Sequence, residues 1–259
     1  MSLTFRAVIT RALAAGFAVG LLLAGYTFFV VEPVIDEAIE IEEQLAADHE
    51  ESDEAGHSHD EDDAPFSRSE QVGGGLTAGL IYAVVLATVF GTVLTAVRHR
   101  LPGGSDLIRS VWLAAVAFGC VALVPALKYP ANPPAVGDPD TVGQRTVQWL
   151  VLVALSLVLA WALTNVSGSL RGRFVDSTRV LAVTALTVVS FGFLLVVLPG
   201  TPDEIDPRVP AGLVWDFRIR SLGGLALLWA GLGVGVGWLL ERNGRTEATV
   251  TADRTAVRS

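Results

Sequence analysis

Residues 74–97 read GGLTAGLIYAVVLATVFGTVLTAV, a stretch of 24 positions without a charged side chain. About 20 apolar residues in a helix cross the hydrocarbon core of a bilayer, so this stretch predicts a transmembrane helix. Small residues recur in it at a spacing of four, which places them on one helix face where a second helix can approach closely. They are Gly75, Gly79, Ala83, Ala87 and Gly91.

Five more apolar runs lie along the chain of 259 residues, which is 51% hydrophobic. The pattern predicts an all-α, polytopic bundle of about six transmembrane helices in the cytoplasmic membrane, in contact with the lipid bilayer. The first run is longer than the apolar part of a signal peptide, so it is expected to be a retained helix. The five runs are Ala7–Val31, Ser110–Leu127, Val147–Val166, Val180–Leu198 and Ser221–Leu240.

These runs divide the chain into four segments. Residues 1–31 form the first transmembrane helix, 32–73 an acidic histidine-containing loop, 74–240 a five-helix bundle with proline-rich loops, and 241–259 a polar tail. Within the loop, residues 34–47 carry a pattern typical of a short amphipathic helix. Residues 48–69 have almost no large apolar side chain, so they are expected to be largely disordered.

The arginines predict the orientation. With both termini in the cytoplasm, the inner segments hold 12 of the 18 basic residues and only five of the 27 acidic residues. Basic residues near span ends concentrate on the cytoplasmic side of membrane proteins. The acidic loop and the proline-rich loops are therefore expected to face outward, while the tail is expected to be cytoplasmic.

The acidic loop carries the sharpest local motif. From Glu32 to Glu70 there are 16 acidic residues and one basic residue, and three of the four histidines of the chain lie in this stretch. Imidazole together with carboxylate favours a divalent transition metal over a harder ion. The candidate metal ligands are His57, His59, His49, Asp60 and Glu61. The alternative is a solvated acidic loop of a salt-adapted protein, in a chain with a single lysine.

The proline-rich loops that follow the runs Ser110–Leu127 and Val180–Leu198 combine rigidity with charges of both signs. Such loops can form the entrance of a transport path or a purely structural cap, and both interpretations remain open. Known enzyme motifs and nucleic-acid-binding motifs do not occur, so the sequence predicts a non-enzyme with no tightly bound cofactor and no nucleic-acid partner. The candidate entrance residues are Glu32, Lys128, Tyr129, Asn132, Asp138, Asp216 and Arg218.

Three motifs together resemble a known family. They are Glu32-Pro33 at the end of the first run, KYPANPPAVGDP at 128–139 and PAGLVWDFRIRSL at 210–222. With the histidine-bearing loop, they are similar to the CbtA-type cobalt transporter subunits. The resemblance implies cobalt uptake linked to cobalamin biosynthesis. It also implies a small, single-span, histidine-bearing membrane subunit as partner.

The sequence thus predicts a membrane subunit that moves a divalent transition metal, expected to be cobalt, into the cell. The loop would capture the ion. Two other functions remain open: a membrane metal sensor or chaperone that binds without transport, and a structural membrane protein of a salt-adapted organism. Metal accumulation in cells separates transport from binding alone, and tolerance of His-to-Asn changes would favour the structural protein.

Overall fold

The computed structural model describes residues 4–50, 66–134, 136–137, 139–201 and 205–256. All helices and turns named here lie in these ranges. π-Helical segments Thr27–Val31 and Gly119–Leu123 follow the first and fourth helices, and a 3-10 turn, Pro139–Thr141, precedes the sixth. The α-helices are α1 (Phe5–Tyr26), α2 (Glu32–Glu50), α3 (Arg68–Val97), α4 (Asp106–Phe118), α5 (Val124–Lys128), α6 (Val142–Ser169), α7 (Asp176–Val197) and α8 (Ala211–Ala256).

Six continuous helical segments of the described chain are long and apolar enough to cross a membrane, which confirms the predicted number of spans. Two of these segments each combine two α-helices with the π-helical turn between them. Helix α7 has no buried residue, as expected for a helix whose surface faces lipid. The six are Phe5–Leu45, Arg68–Val97, Asp106–Lys128, Val142–Ser169, Asp176–Val197 and Ala211–Arg242.

The chain forms two compact units. The first consists of the described parts of Met1–Pro33, Ser52–Ala115 and Gly223–Ser259, and the second of Val34–Glu51 and Val116–Leu222. In the first unit, small residues bring α1 and α3 together. A Cβ added at Gly91 would lie 2.8 Å from Cβ of Ala12, and one added at Gly20 would lie 2.5 Å from Cδ1 of Leu80. The small-residue face predicted from the sequence therefore packs at its C-terminal half.

Alternate glycines of α8 approach two different helices of the first unit. A Cβ at Gly231 would lie 2.8 Å from Val19 of α1, whereas one at Gly233 would lie 2.7 Å from Ala114 of α4. Residues two positions apart point to different sides of a helix, and residues four apart share a side. Gly235 and Gly237 repeat this division one turn later, against Ala15 and Leu107 respectively. Helix α8 is thus held between two neighbours.

A π-helical turn precedes each of two prolines. The N–H of Glu32 donates to the carbonyl of Thr27 just before Pro33, and the N–H of Val124 donates to that of Gly119 just before Pro125. Proline has no N–H to continue an α-helical ladder, and a wider π turn is a common way to accommodate such a break. The chain was expected to leave the first helix at Glu32-Pro33, but it continues as α2.

Two predicted boundaries are wrong. The segment 201–220 was expected to be a loop, but α8 begins at Ala211, so Asp216 and Arg218 are helical. The helix starts directly after Pro210, whose carbonyl accepts from the N–H of Val214 over 3.3 Å. At the other end, α8 continues to Ala256 rather than ending at Leu240. Charged residues ended the apolar run in the sequence but did not end the helix, because arginine and glutamate have good helix propensity.

The predicted acidic loop is also shorter than expected. Helix α2 extends to Glu50, three residues beyond the expected amphipathic segment, and α3 already begins at Arg68. Ser67 and Glu70 form a reciprocal capping box at the start of α3, a pairing that satisfies two free N–H groups of the first turn. Residues 48–50 thus belong to α2 and residues 68 and 69 to α3, and the expected disorder of the loop stays a prediction. Residues 51–65 lie outside the described part of the chain.

Candidate transport entrance and metal-capture loop

Arg218 joins the second turn of α8 to the proline-rich segment after α5. Its Nε donates to the backbone oxygen of Ala131 over 3.3 Å, and its Nη2 donates to Oδ1 of Asn132 over 2.9 Å. A planar guanidinium can make both bonds at once, which a lysine ammonium cannot do with the same geometry. The surrounding prolines restrict the backbone that accepts these bonds. Arg218 therefore fixes the proline-rich segment at Ala131 and Asn132 against α8.

Tyr129 makes a second connection within the same unit. Its hydroxyl donates to the carbonyl oxygen of Pro199, just after α7, over 2.9 Å. Burial raises the pKa of Tyr129 above the ordinary value of 10.0, so the phenol is protonated and able to donate at neutral pH. Leu198 is extended, with ψ of 147°, because the residue before a proline avoids the α-helical region. The carbonyl of Pro199 thus lies outside the helix and accepts the bond from Tyr129.

An apolar cluster in the second unit unites α2 with the proline-rich segments and α8. Its buried members come from all three parts of the chain, and Ile41, Leu45 and Phe217 pack against it. Burial of each large aliphatic side chain stabilises the arrangement by roughly 1.5–3 kcal/mol. The buried members are Val34, Ala38, Val136, Val209, Leu213 and Val214. We call this cluster, together with the bonds of Tyr129 and Arg218, the proline-rich cap.

Helix α2 is amphipathic, as the sequence predicted. Its apolar residues face the cluster, whereas its acidic residues are exposed on the other side. At a spacing of three to four residues, carboxylates on one face lie close enough to reinforce each other's field. The exposed acidic residues are Asp36, Glu37, Glu40, Glu42 and Glu43. The exposed face of α2 therefore carries negative potential from Asp36 to Glu43.

The remaining candidate entrance residues have separate environments. Asp216 accepts a bond from Nη2 of Arg220, one turn later on α8, over 3.4 Å, and Lys128 is the half-buried last residue of α5. Glu32 belongs to the first unit, where its carboxylate pairs with Arg68. Asp138 lies outside the described residues. The structure thus brings Tyr129, Asn132 and Arg218 into one bonded cap.

The predicted metal ligands lie almost entirely outside the residues that the structure describes. His57, His59, Asp60 and Glu61 lie in residues 51–65, outside the described part of the chain, and for His49 only the backbone is described, in the last turn of α2. Among the residues whose side chains are described, no group of three or more His, Cys, Asp or Glu could hold a metal ion. A metal site in the loop stays a prediction.

The comparison with known families decides the class of protein. Residues 5–241 match the family model described as "Probable cobalt transporter subunit (CbtA)". The chain belongs to this family. No curated protein and no solved structure matched the chain.

Membership of the CbtA family gives the coarse function. The family description makes the chain a subunit of a cobalt transport system, with cobalt as the cargo, rather than a member of an enzyme class. Its six helices of membrane-spanning length indicate a multi-pass membrane protein. The word subunit also indicates a partner in the transport system. The resemblance inferred from the three sequence motifs is confirmed over nearly the whole chain, including the residues of the proline-rich cap.

Sequence reasoning missed several bonding partners of the candidate entrance residues. The carbonyl oxygens of Ala131 and Pro199 accept the bonds of Arg218 and Tyr129, but a backbone acceptor has no signature in a sequence. Arg68, the single basic residue in the acidic stretch, was counted only as a charge, although it pairs with Glu32. An isolated arginine among 16 acidic residues is a signal from which such an ion pair could have been predicted.

Proposed function

We propose that this chain is the membrane subunit through which Co²⁺ passes from outside the cell to the cytoplasm. The match of residues 5–241 to a cobalt transporter subunit family carries the proposal. Six helices of membrane-spanning length supply the scaffold that such a function requires. The cytoplasmic membrane is the site of action, because metal uptake into the cell takes place there.

The orientation in this proposal follows from the arginine distribution. Inner segments hold 12 of the 18 basic residues when both termini are cytoplasmic, which agrees with the excess of basic residues on the inner side of membrane proteins. Arg98, Arg171 and Arg242 lie at or near the cytoplasmic ends of α3, α6 and the membrane-spanning part of α8. The acidic loop and the proline-rich cap then face the outside, where the metal arrives.

The acidic loop would capture the ion. His57 and His59 offer imidazole nitrogens, and Asp60, Glu61 and His49 are close to them in sequence. Neutral imidazole with carboxylate suits Co²⁺ better than Mg²⁺ or Ca²⁺. The exposed acidic face of α2 adds a negative field next to the loop, and such a field raises the local concentration of cations. Capture would thus be both electrostatic and coordinative.

The proline-rich cap would form the entrance. Asn132 and the carbonyl oxygens beside it are oxygen donors held at fixed positions by Arg218, and Tyr129 fixes the neighbouring segment. Glu32, Lys128, Asp138 and Asp216 would supply charges around this entrance. A rigid, polar mouth lets an ion exchange water for protein oxygens at little reorganisation cost, as selectivity sites in channels do.

The membrane potential would favour inward movement. One charge crossing 100 mV gains about 2.3 kcal/mol, so a divalent cation gains about twice as much. A small, single-span, histidine-bearing subunit would be the partner in this system, and cobalamin biosynthesis would use the cobalt. Both follow from the family resemblance. Neither is needed for the electrical driving force.

Metal accumulation in intact cells tests the proposal. Cells with their own cobalt uptake removed should accumulate labelled cobalt when they express this chain together with its single-span partner. A variant with Asn132→Ala and Arg218→Ala, at matched abundance in the membrane, is the control and should accumulate less. Binding of cobalt by membranes without accumulation inside the cells would contradict transport and favour a sensor or chaperone.

A further inference from the structure

Two half-buried basic side chains of the second unit meet no carboxylate among the residues that the structure describes. Lys128 forms no ion pair and no side-chain hydrogen bond with them, and Arg218 bonds only to neutral oxygen atoms. By contrast, Arg208 and Arg220 of the same unit each pair with a carboxylate. Partial burial of a charge costs free energy unless the charge is paired, so Lys128 and Arg218 are candidates to bind an external anion.

Both basic residues lie where their helices leave the apolar part of the membrane. Lys128 directly follows the uncharged run 110–127, and Arg218 lies three residues before the uncharged run 221–240. Trp215, one turn before Arg218, is 64% exposed. An exposed tryptophan next to a basic residue is typical of the boundary where a membrane protein meets lipid headgroups.

The two basic side chains can reach the same small group. Lys128 is three residues before Ala131, so their Cα atoms lie within about 11 Å of each other, and Arg218 donates to the carbonyl oxygen of Ala131. A guanidinium has five N–H donors. The bonds to Ala131 and Asn132 use two of them, so three remain, together with the three donors of the lysine ammonium.

An apolar groove lies between α6 and α7 of the same unit. It has a volume of about 510 Å³, and Ala162, Ser190 and Leu194 are among the residues that line it. Leu194 belongs to the last turn of α7, and the hydroxyl of Tyr129 bonds just beyond that turn, to Pro199. The groove therefore begins close to the segment that follows α5. Its volume lies in the range of pockets that bind small ligands.

We propose that Lys128 and Arg218 bind the phosphate of an anionic phospholipid, and that the groove between α6 and α7 holds the upper part of one of its acyl chains. The bilayer presents both parts of this ligand at the depth where the basic side chains and the groove lie. Hydrogen bonds from charged donors to a phosphate are among the stronger ones in proteins. A free phosphate or an acidic peptide would use the basic side chains but not the groove.

The bound phosphate would also change the field at the proline-rich cap. Basic side chains without a counter-charge repel a divalent cation, and a phosphate between them offsets part of their charge. This consequence rests on the proposed cobalt transport. The lipid site itself does not, because it follows from the two basic side chains and the groove.

Native mass spectrometry of the purified full-length protein, titrated with phosphatidylglycerol in detergent, tests the headgroup contact. Phosphatidylglycerol should bind more tightly than phosphatidylcholine, which carries no net charge. Lys128→Gln should weaken the binding of phosphatidylglycerol by about threefold or more, and Lys128→Arg should restore it. Arg208→Gln is the matched control, because Arg208 already pairs with Asp206, and it should leave the lipid affinity unchanged.

Two phenylalanine variants of α7 test the groove. Ser190→Phe places a ring in the groove and should weaken the binding of phosphatidylglycerol without changing the preference over phosphatidylcholine that Lys128 confers. Val196→Phe is the matched control on the same helix. Val196 is 82% exposed and does not line the groove, so this variant should bind the lipid as the wild type does.

The remaining outcomes would contradict the site. Equal affinity for the two lipids, or an unchanged affinity in Lys128→Gln, overturns the headgroup contact. Equal losses in Ser190→Phe and Val196→Phe overturn the role of the groove. Displacement of the lipid by inorganic phosphate or by a polyglutamate peptide would favour those anions instead. All of these titrations are made without cobalt, so their failure leaves the transport proposal standing, and failed cobalt uptake leaves the lipid site standing.

Discussion

Arg218 and Asn132 are 86 positions apart in the sequence, yet Nη2 of the arginine donates to Oδ1 of the asparagine over 2.9 Å. The arginine is helical and the asparagine lies in a proline-rich segment, so the bond fixes one against the other within the second unit. A bond between a charged donor and a neutral acceptor contributes about 1.5–3 kcal/mol. The position of Asn132 against α8 therefore depends on this guanidinium.

The first prediction concerns this guanidinium. Arg218→Lys keeps the positive charge but loses the paired bonds to Ala131 and Asn132. We expect the thermal midpoint in detergent to fall by about 3–12 °C, since each kcal/mol corresponds to about 2–4 °C in a chain of this size. The maximal rate of cobalt uptake should fall as well.

Arg220→Lys is the matched control for that change. Arg220 contacts Asp216 one turn away over 3.4 Å, and ion pairs of this exposed i,i+4 kind contribute little. We expect a midpoint and an uptake rate close to those of the wild type. Equal losses in the Arg218 and Arg220 variants would contradict a specific role for the Arg218 bonds.

The second prediction concerns Tyr129 and pH. Tyr129→Phe removes the bond to Pro199 and should destabilise the protein by about 1 kcal/mol. Because burial raises the pKa of Tyr129 above 10.0, the bond's contribution is fully present below pH 10 and is lost only as the pH rises through the raised value. Thermal melts of wild type and variant should therefore differ by the same amount from pH 6 to pH 9. A difference that vanishes by pH 8 would contradict this.

The third prediction tests the close packing of α1 and α3. Gly91→Ala places a Cβ 2.8 Å from Cβ of Ala12, and neither backbone-attached carbon can move away cheaply. We expect a loss of about 1–3 kcal/mol from overpacking, measured as a lower thermal midpoint. Gly79→Ala on the same helix meets no described atom within 4 Å and should be neutral or slightly stabilising, because alanine favours a helix.

The spans and the close-packing glycines were predictable because each is a local pattern. An uncharged stretch such as residues 74–97 has few alternatives to a transmembrane helix, and small residues every four positions indicate a tight neighbour. The sequence could not say which neighbour each glycine meets. Gly231 approaches Val19 and Gly233 approaches Ala114, and that division depends on tertiary packing.

The candidate site was predictable only in part. Prolines and charges of both signs marked the segments of the proline-rich cap, but the backbone acceptors at Ala131 and Pro199 leave no trace in the residue pattern. The start of α8 was missed because Arg218 and Arg220 interrupt the apolar run, although the apolar residues Leu213, Val214 and Phe217 continue on one face. The helical spacing of these hydrophobic residues predicts the helix, whereas the polar composition of the segment 201–220 as a whole favoured a loop.

The fourth prediction tests the orientation derived from the arginines. A cysteine at Ser58, in a Cys120→Ser background, should react with an impermeant maleimide added to whole cells. A cysteine at Ser169, the last residue of α6, should react only after the cells are opened. The background protein without cysteine measures unspecific labelling. Reaction of Ser169→Cys alone in whole cells would reverse both the orientation and the direction of uptake.

The fifth prediction separates capture of the ion from its passage. Replacing residues 51–63 by a neutral Gly/Ser segment of equal length leaves α2 and the capping box of α3 intact. It removes His57, His59, Asp60 and Glu61. An antenna raises the local ion concentration and not the rate of passage. Uptake should therefore fall at scarce cobalt and recover at abundant cobalt, with the same maximal rate.

Asn132→Ala should give the opposite pattern, because it alters the fixed oxygen donors of the proline-rich cap. The maximal rate should fall, and added cobalt should not restore it. Labelled-cobalt uptake over a series of concentrations, with both variants at matched membrane abundance, distinguishes the two effects. A reduced maximal rate in the loop variant together with normal uptake by Asn132→Ala would place the decisive site in the loop, since a segment that only concentrates the ion cannot limit flux once cobalt is abundant.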